Sequence, residues 1–161
     1  MATRSGYRGY MSTRAVRGTI TPQRVQNLVI RDYASRNGLP YLVSVSEFAM
    51  PGCYMMFENA LLELDHTLGI IAFSAFMLPR DAEQRSTIYE RIFGAGATLH
   101  AALENLCVSS PGDIPRFEDL LSAAFLLDRV PFSGRYEKSD RPLSDSADPF
   151  ARLMLTQQVP E

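Results

Sequence analysis

The chain predicts a three-layer α/β/α domain built on a mostly parallel sheet, and three observations carry that prediction. Short apolar or β-branched runs alternate with segments of helical periodicity. The run GIIAFS is apolar almost throughout, as expected of a strand covered on both faces. Proline and glycine punctuate the joins, notably at Pro22, Gly38 and the Gly-Ala-Gly of residues 94–96. A length of 161 residues, with 46% hydrophobic and 21% charged residues, fits one ordinary globular domain.

GYRGYMS, residues 6–12, reads as the first strand and leads into an arginine-bearing loop. Thr21 then reads as a helix N-cap with Pro22 at the first helical position. Val25, Leu28, Val29 and Tyr33 follow at helical spacing, and Gly38 closes the segment. LPYLVSVS, residues 39–46, is the second strand. A helix over about 53–64 turns Met56, Phe57, Ala60, Leu61 and Leu64 inward. GIIAFS is the third strand, residues 81–93 the next helix, TLHAALENL (98–106) a single fourth strand, and residues 115–130 the last helix. Right-handed crossovers place the strand-to-helix loops on one edge, so Ser12, Glu47, Ser74 and Glu104 are expected there together, with a ligand beyond the carboxyl ends of the strands. After Pro131 the pattern lapses. Residues 1–133 form the domain, and residues 134–161 are a polar, proline-bearing arm whose late apolar run ARLML could dock on the body or on a second copy.

The formal net charge is −2, yet six arginines (4, 8, 14, 17, 24 and 31) precede the first acid, Asp32. Guanidinium groups offer paired planar donors that suit carboxylates and phosphates, so this end points to an anionic ligand. Lys138 is the one lysine beside fifteen arginines, and compositional bias accounts for the excess equally well. Cys53 and Cys107 form no CxxC pair, and the N-terminus is polar, so they read as reduced cytoplasmic thiols. No apolar run is long enough to span a membrane. Neither a P-loop nor a zinc-ligand spacing is present, and no cofactor or metal is expected.

The runs GYRGYMSTR, TPQRVQNLVIRDYASRNGLPYLVSVSEFAMPGCYMM and GIIAFSAFMLP, over residues 6 to about 110, resemble the sporadic carbohydrate cluster protein family of small bacterial proteins encoded among sugar biosynthesis genes. A more distant resemblance is to the catalytic domain of serine recombinases (resolvases), in the order GY…S, a helix with Q…L…YA..NGL, GIIAFS, and GATLHAALENL. It implies a resolvase-like, flavodoxin-type sheet of four to five strands in the order 2-1-3-4, with Ser12 near the recombinase nucleophile. The arginines that family uses after its second and third strands are missing from EFAMPGCYMM and FSAFMLPRD, and no helix-turn-helix follows. These departures and the negative net charge weigh against DNA recombination and against nucleic acid as a partner.

Tyr7, Arg8, Ser12 and Arg14 suggest a cradle of hydroxyl and guanidinium groups for phosphate or carboxylate oxygens. The alternative is a solvated cationic loop. Gln23, Arg24 and Asn27 sit at the start of the first helix, where free N–H groups favour an anion, or else form an ordinary polar face. Glu47 could orient the arginines, bind a sugar hydroxyl or act as a general base. Cys53, at a helix N-terminus, is either an activated nucleophile or a small buried residue. Tyr54 is an acid, a sugar-stacking ring or packing. Glu104 ranks behind these, and His100 reads as a core residue. Arg8, Arg14 and Arg24 are expected to converge on one anion beside Glu47 and Cys53. The function these point to is a small enzyme of carbohydrate biosynthesis using isomerase- or lyase-type acid–base chemistry on an anionic sugar, such as a nucleotide sugar, with Glu47, Cys53, Tyr54 and Ser12 as catalytic groups. Its protein partner would be a second copy or a larger biosynthetic enzyme. The rivals are a non-catalytic, sugar-nucleotide-sensing subunit and a degenerate recombinase-like protein that binds nucleic acid.

Overall fold

Five strands and four helices follow one another in a computed structural model that describes residues 4–129. They are β1 (Tyr7–Ser12), α1 (Gln23–Arg36), β2 (Tyr41–Glu47), α2 (Met55–Leu62), β3 (Gly69–Ala72), α3 (Ala82–Gly94), β4 (Thr98–Ala101), β5 (Leu106–Val108) and α4 (Ile114–Arg129). The strand order is β2-β1-β3-β4-β5, parallel except for the antiparallel β4–β5 pair. This is the expected α/β sheet with helices on both faces. The arm expected from residue 134 lies outside the described residues.

Alternation along β1 separates two halves of the core. Tyr7 meets the His100 ring edge-on at 5.2 Å, and His100 meets Tyr33 of α1. Tyr10 faces the other way and packs at 4.8 Å on Phe57 of α2. β3 is buried along its whole length, as its apolar run predicts. At its start, Gly69 has a φ of +153°, and a Cβ there would lie 2.0 Å from the Thr98 carbonyl oxygen, so only glycine lets β3 and β4 meet. Asp81 caps α3 by accepting bonds from the Glu83 and Gln84 N–H groups.

Three local expectations need correction. The first helix begins at Gln23 with Pro22 at its cap position, and the Thr21 side chain caps nothing. Its inward face carries Gln26, Ile30, Tyr33 and Ala34, while Val25 and Leu28 are exposed. A buried glutamine with a specific job has displaced the apolar stripe by one position. TLHAALENL is two strands, because the chain turns at residues 102–105 with Asn105 at φ +53° and returns as antiparallel β5. Glu104 therefore lies in that turn and does not end a strand.

Candidate functional site

Parallel pairing sets Ser12, the last residue of β1, against Glu47, the last of β2. Ser12 is buried, and its backbone is clamped by the side-chain amide of Gln26. That amide accepts from the Ser12 N–H at 3.1 Å and donates to the Ser12 carbonyl at 2.6 Å. The Ser12 hydroxyl oxygen accepts from the Arg14 backbone N–H at 3.0 Å and from Arg14 Nε at 3.1 Å. The same guanidinium donates to the Cys53 carbonyl at 3.0 Å and to the Tyr10 hydroxyl at 3.1 Å. Its centre sits 4.6 Å over the Tyr54 ring.

Tyr10 donates in turn to Glu47 at 3.2 Å. Burial first, and the Glu47 carboxylate second, push the Tyr10 phenol far above its ordinary pKa, so it remains a donor. Glu47 is 2% exposed and sits at the start of α2. It accepts from the backbone N–H groups of Phe48 (3.1 Å), Met56 (3.0 Å) and Phe57 (3.1 Å), with the Cys53 thiol at 3.5 Å. Burial alone would raise its pKa, but the Phe57, Met56 and Phe48 N–H groups reverse that and hold the carboxyl below its usual range. A carboxylate this well satisfied is a poor proton acceptor and a good helix cap.

Beside Ser12 opens a cleft of about 410 Å³ at the carboxyl edge. Arg14, Arg17 and Arg80 line it with the rings of Tyr54, Phe76 and Phe125, and Asp128 is the one acid in its lining. Arg17, held at φ +50°, lies 5.3 Å over Phe76, and Arg80 lies 5.4 Å over Phe125. Arg80 has Asp128 at 3.9 Å. Among the described residues, neither Arg14 nor Arg17 has a carboxylate within 4.0 Å. Positive charge facing this cleft is thus largely uncompensated.

Ser12, Arg14, Glu47, Cys53 and Tyr54 therefore come together as expected, whereas Arg8 and Arg24 do not join them. Arg8 is held by Glu63 at 2.5 Å, beyond the far end of α2, and Arg24 is exposed on α1 and lines no part of the cleft. The Tyr7 hydroxyl accepts from Thr98 at 3.2 Å within the core. Gln23 donates to Ser46, and Asn27 accepts from Tyr41 (2.9 Å) and Ser44 (3.0 Å), so both tie α1 to β2. Glu104 accepts from the Ser74 hydroxyl at 2.6 Å and from the Ala75 N–H at 2.9 Å, which braces the loop after β3. Sequence reasoning passed over Gln26, Arg17, Arg80 and Phe125 as site residues. The one available signal was the cluster of arginines that includes Arg17. Among the described residues no group of three His, Cys, Asp or Glu side chains comes together as metal ligands. None of the described helices is long and apolar enough to cross a membrane.

The fold defines a class of architecture: a five-stranded, mostly parallel sheet with four helices, as in resolvase catalytic domains. The chain is similar to a resolvase family site-specific recombinase from Streptococcus pneumoniae, at 15% identity and a TM-score of 0.51, covering 76% of this chain and 88% of that one. The N-terminal catalytic domain of TP901-1 integrase aligns over 76% of this chain and 96% of that one, at 15% identity and a TM-score of 0.49. No family model and no curated protein matches the chain, so the resemblance to the sporadic carbohydrate cluster family finds no support. The recombinase likeness also corrects the functional expectation. A carbohydrate-biosynthesis isomerase or lyase with an anionic sugar as its partner is withdrawn, as is the setting aside of nucleic acid.

Proposed function

We propose that this protein is a recombinase-fold nucleic-acid-binding protein, holding backbone phosphates at Ser12, Arg14, Arg17 and Arg80. The observation that carries this reading is the pair of guanidinium groups, Arg14 and Arg17, that face the cleft with no carboxylate within reach beside the buried serine. Arg14 spends three donors on neutral acceptors, which fixes its plane without cancelling its charge. Two of its five donors remain for a ligand. The likeness to a protein described as a site-specific recombinase supports nucleic acid as the source of the phosphate. The reading is binding, not strand exchange. Among the described residues the Ser12 hydroxyl has no imidazole or carboxylate in hydrogen-bond contact, and Glu47 is occupied by its own helix.

Fluorescence anisotropy with labelled oligonucleotides over a range of KCl concentrations tests the proposal. Three guanidiniums on phosphates give a log–log salt slope of about −2 to −3. Arg14→Ala and Arg17→Gln should each weaken binding roughly tenfold and flatten the slope by about one. Arg31→Ala, an exposed arginine of α1 outside the cleft, is the control and should change neither. Absence of salt-dependent binding to any oligonucleotide would remove the reading.

A further inference from the structure

We infer that the cleft takes a single unpaired nucleotide, so that the preferred partner is single-stranded nucleic acid; this rests on the phosphate reading above. The cleft is not simply basic. Each of its three arginines lies over an aromatic ring: Arg14 over Tyr54 at 4.6 Å, Arg17 over Phe76 at 5.3 Å and Arg80 over Phe125 at 5.4 Å. The rings come from three separate places in the chain, the start of α2, the turn after β3 and the second half of α4. Their convergence at one cavity is therefore a property of the fold and not of one segment.

Rings and guanidinium planes are the surfaces on which unpaired bases stack, while guanidinium N–H groups take phosphate oxygens. A duplex keeps its bases stacked on one another and offers chiefly its phosphates to such a surface. Duplex backbone would use the three charges and leave the three rings idle. All three rings are half-buried, anchored against the core on one side and lining the cleft on the other. The volume of about 410 Å³ lies in the range that holds a small molecule, roughly 300–1,000 Å³. Phe76 and Phe125 stand edge-to-face at 6.4 Å, so their faces are set at a steep angle and a base can stack on one ring and meet the edge of the other.

The test compares the intact protein on matched strands by anisotropy: a single strand, its duplex, and a single strand of the same length made abasic. The single strand should bind at least tenfold tighter than either of the others, since stacking of one base on an aromatic ring is worth roughly ten- to hundred-fold in affinity. A 2-aminopurine in the strand should lose fluorescence on binding, and Tyr54→Ala should weaken single-strand binding while Tyr54→Phe retains it. The abasic comparison needs no variant, so the inference stays testable if Tyr54→Ala fails to fold. Equal affinity for duplex, abasic and normal strands would overturn the single-nucleotide inference and leave phosphate binding standing. Loss of all binding would overturn both.

Discussion

Two arginine–tyrosine–glutamate groups sit in this domain, and they are wired differently. In the first, Arg85 of α3 meets Glu118 of α4 directly, with Nε at 2.8 Å from one oxygen and an amino group at 2.5 Å from the other. Tyr89 donates to the same carboxylate at 2.5 Å, and Arg85 also donates to the carbonyls of Pro79 and Arg80. The guanidinium is 3% exposed as a residue, and its charge is neutralised where it stands. In the second group, Tyr10 separates Arg14 from Glu47. The glutamate turns to the α2 N–H groups and the arginine to the cleft. Directness of contact decides the outcome: Arg85 and Glu118 cancel and brace two helices, while Arg14 and Glu47 stay apart and leave a charge for a ligand.

The most severe way to break the contrast is Arg85→Ala. It leaves Glu118 with the Tyr89 hydroxyl alone and frees the carbonyls of Pro79 and Arg80 ahead of α3. We expect a loss of about 3 kcal/mol in unfolding free energy, read from the urea midpoint at constant m-value. A loss below a surface pair's range of about 1 kcal/mol would mean that the closed group is not structural.

Glu47→Gln sharpens the comparison next. It keeps the shape but replaces a charged acceptor by a neutral one at three backbone N–H groups, and should cost about 2 kcal/mol. The sign with pH follows from the lowered folded-state pKa of Glu47. The stability it contributes is fully present above the unfolded carboxyl value of about 4.3 and is lost as pH falls from there through the folded value. Acid titration of the urea midpoint should therefore show a shallower fall in the variant than in the parent. His100, whose pKa burial lowers to about 4, adds to the fall in both proteins, because below about 6.5 the unfolded chain takes up its proton first. An unchanged acid limb in Glu47→Gln would show that its carboxylate is not the cap described here.

Smallest in stability is Arg14→Ala, since its acceptors are all neutral and one of them, Ser12, lines the cleft. Less than about 1 kcal/mol should be lost, against a clear loss of oligonucleotide binding. A stability loss as large as that of Arg85→Ala would erase the distinction between the two groups.

The alternation of elements was legible because each has its own period of burial. β3 could be read from its unbroken apolar run and α3 from the Gly-Ala-Gly that closes it, and the edge shared by Ser12 and Glu47 follows from parallel crossovers. Less legible was the phase of α1. Gln26 is fully buried because it clamps the Ser12 backbone, and a polar side chain with an inward job carries no apolar signature. The turn inside TLHAALENL escaped for a related reason: two short strands of similar composition run on without proline or glycine, and Asn105 alone takes the positive φ.

Local sequence thus determined the α/β architecture, the carboxyl-edge location of the serine and the excess of arginine near it, since all three depend on neighbours along the chain. Only the tertiary structure decided which arginines remain available. Arg8 is paired by Glu63, 55 positions away, and Arg85 by Glu118, 33 away. Arg14 and Arg17 have no carboxylate within 4.0 Å among the described residues, Glu47 is turned into the start of a helix, and the rings beneath the two arginines come from residues 54 and 76. Charge can be counted along a chain, but its compensation depends on a distance of a few ångströms across space, and that distance exists only after folding.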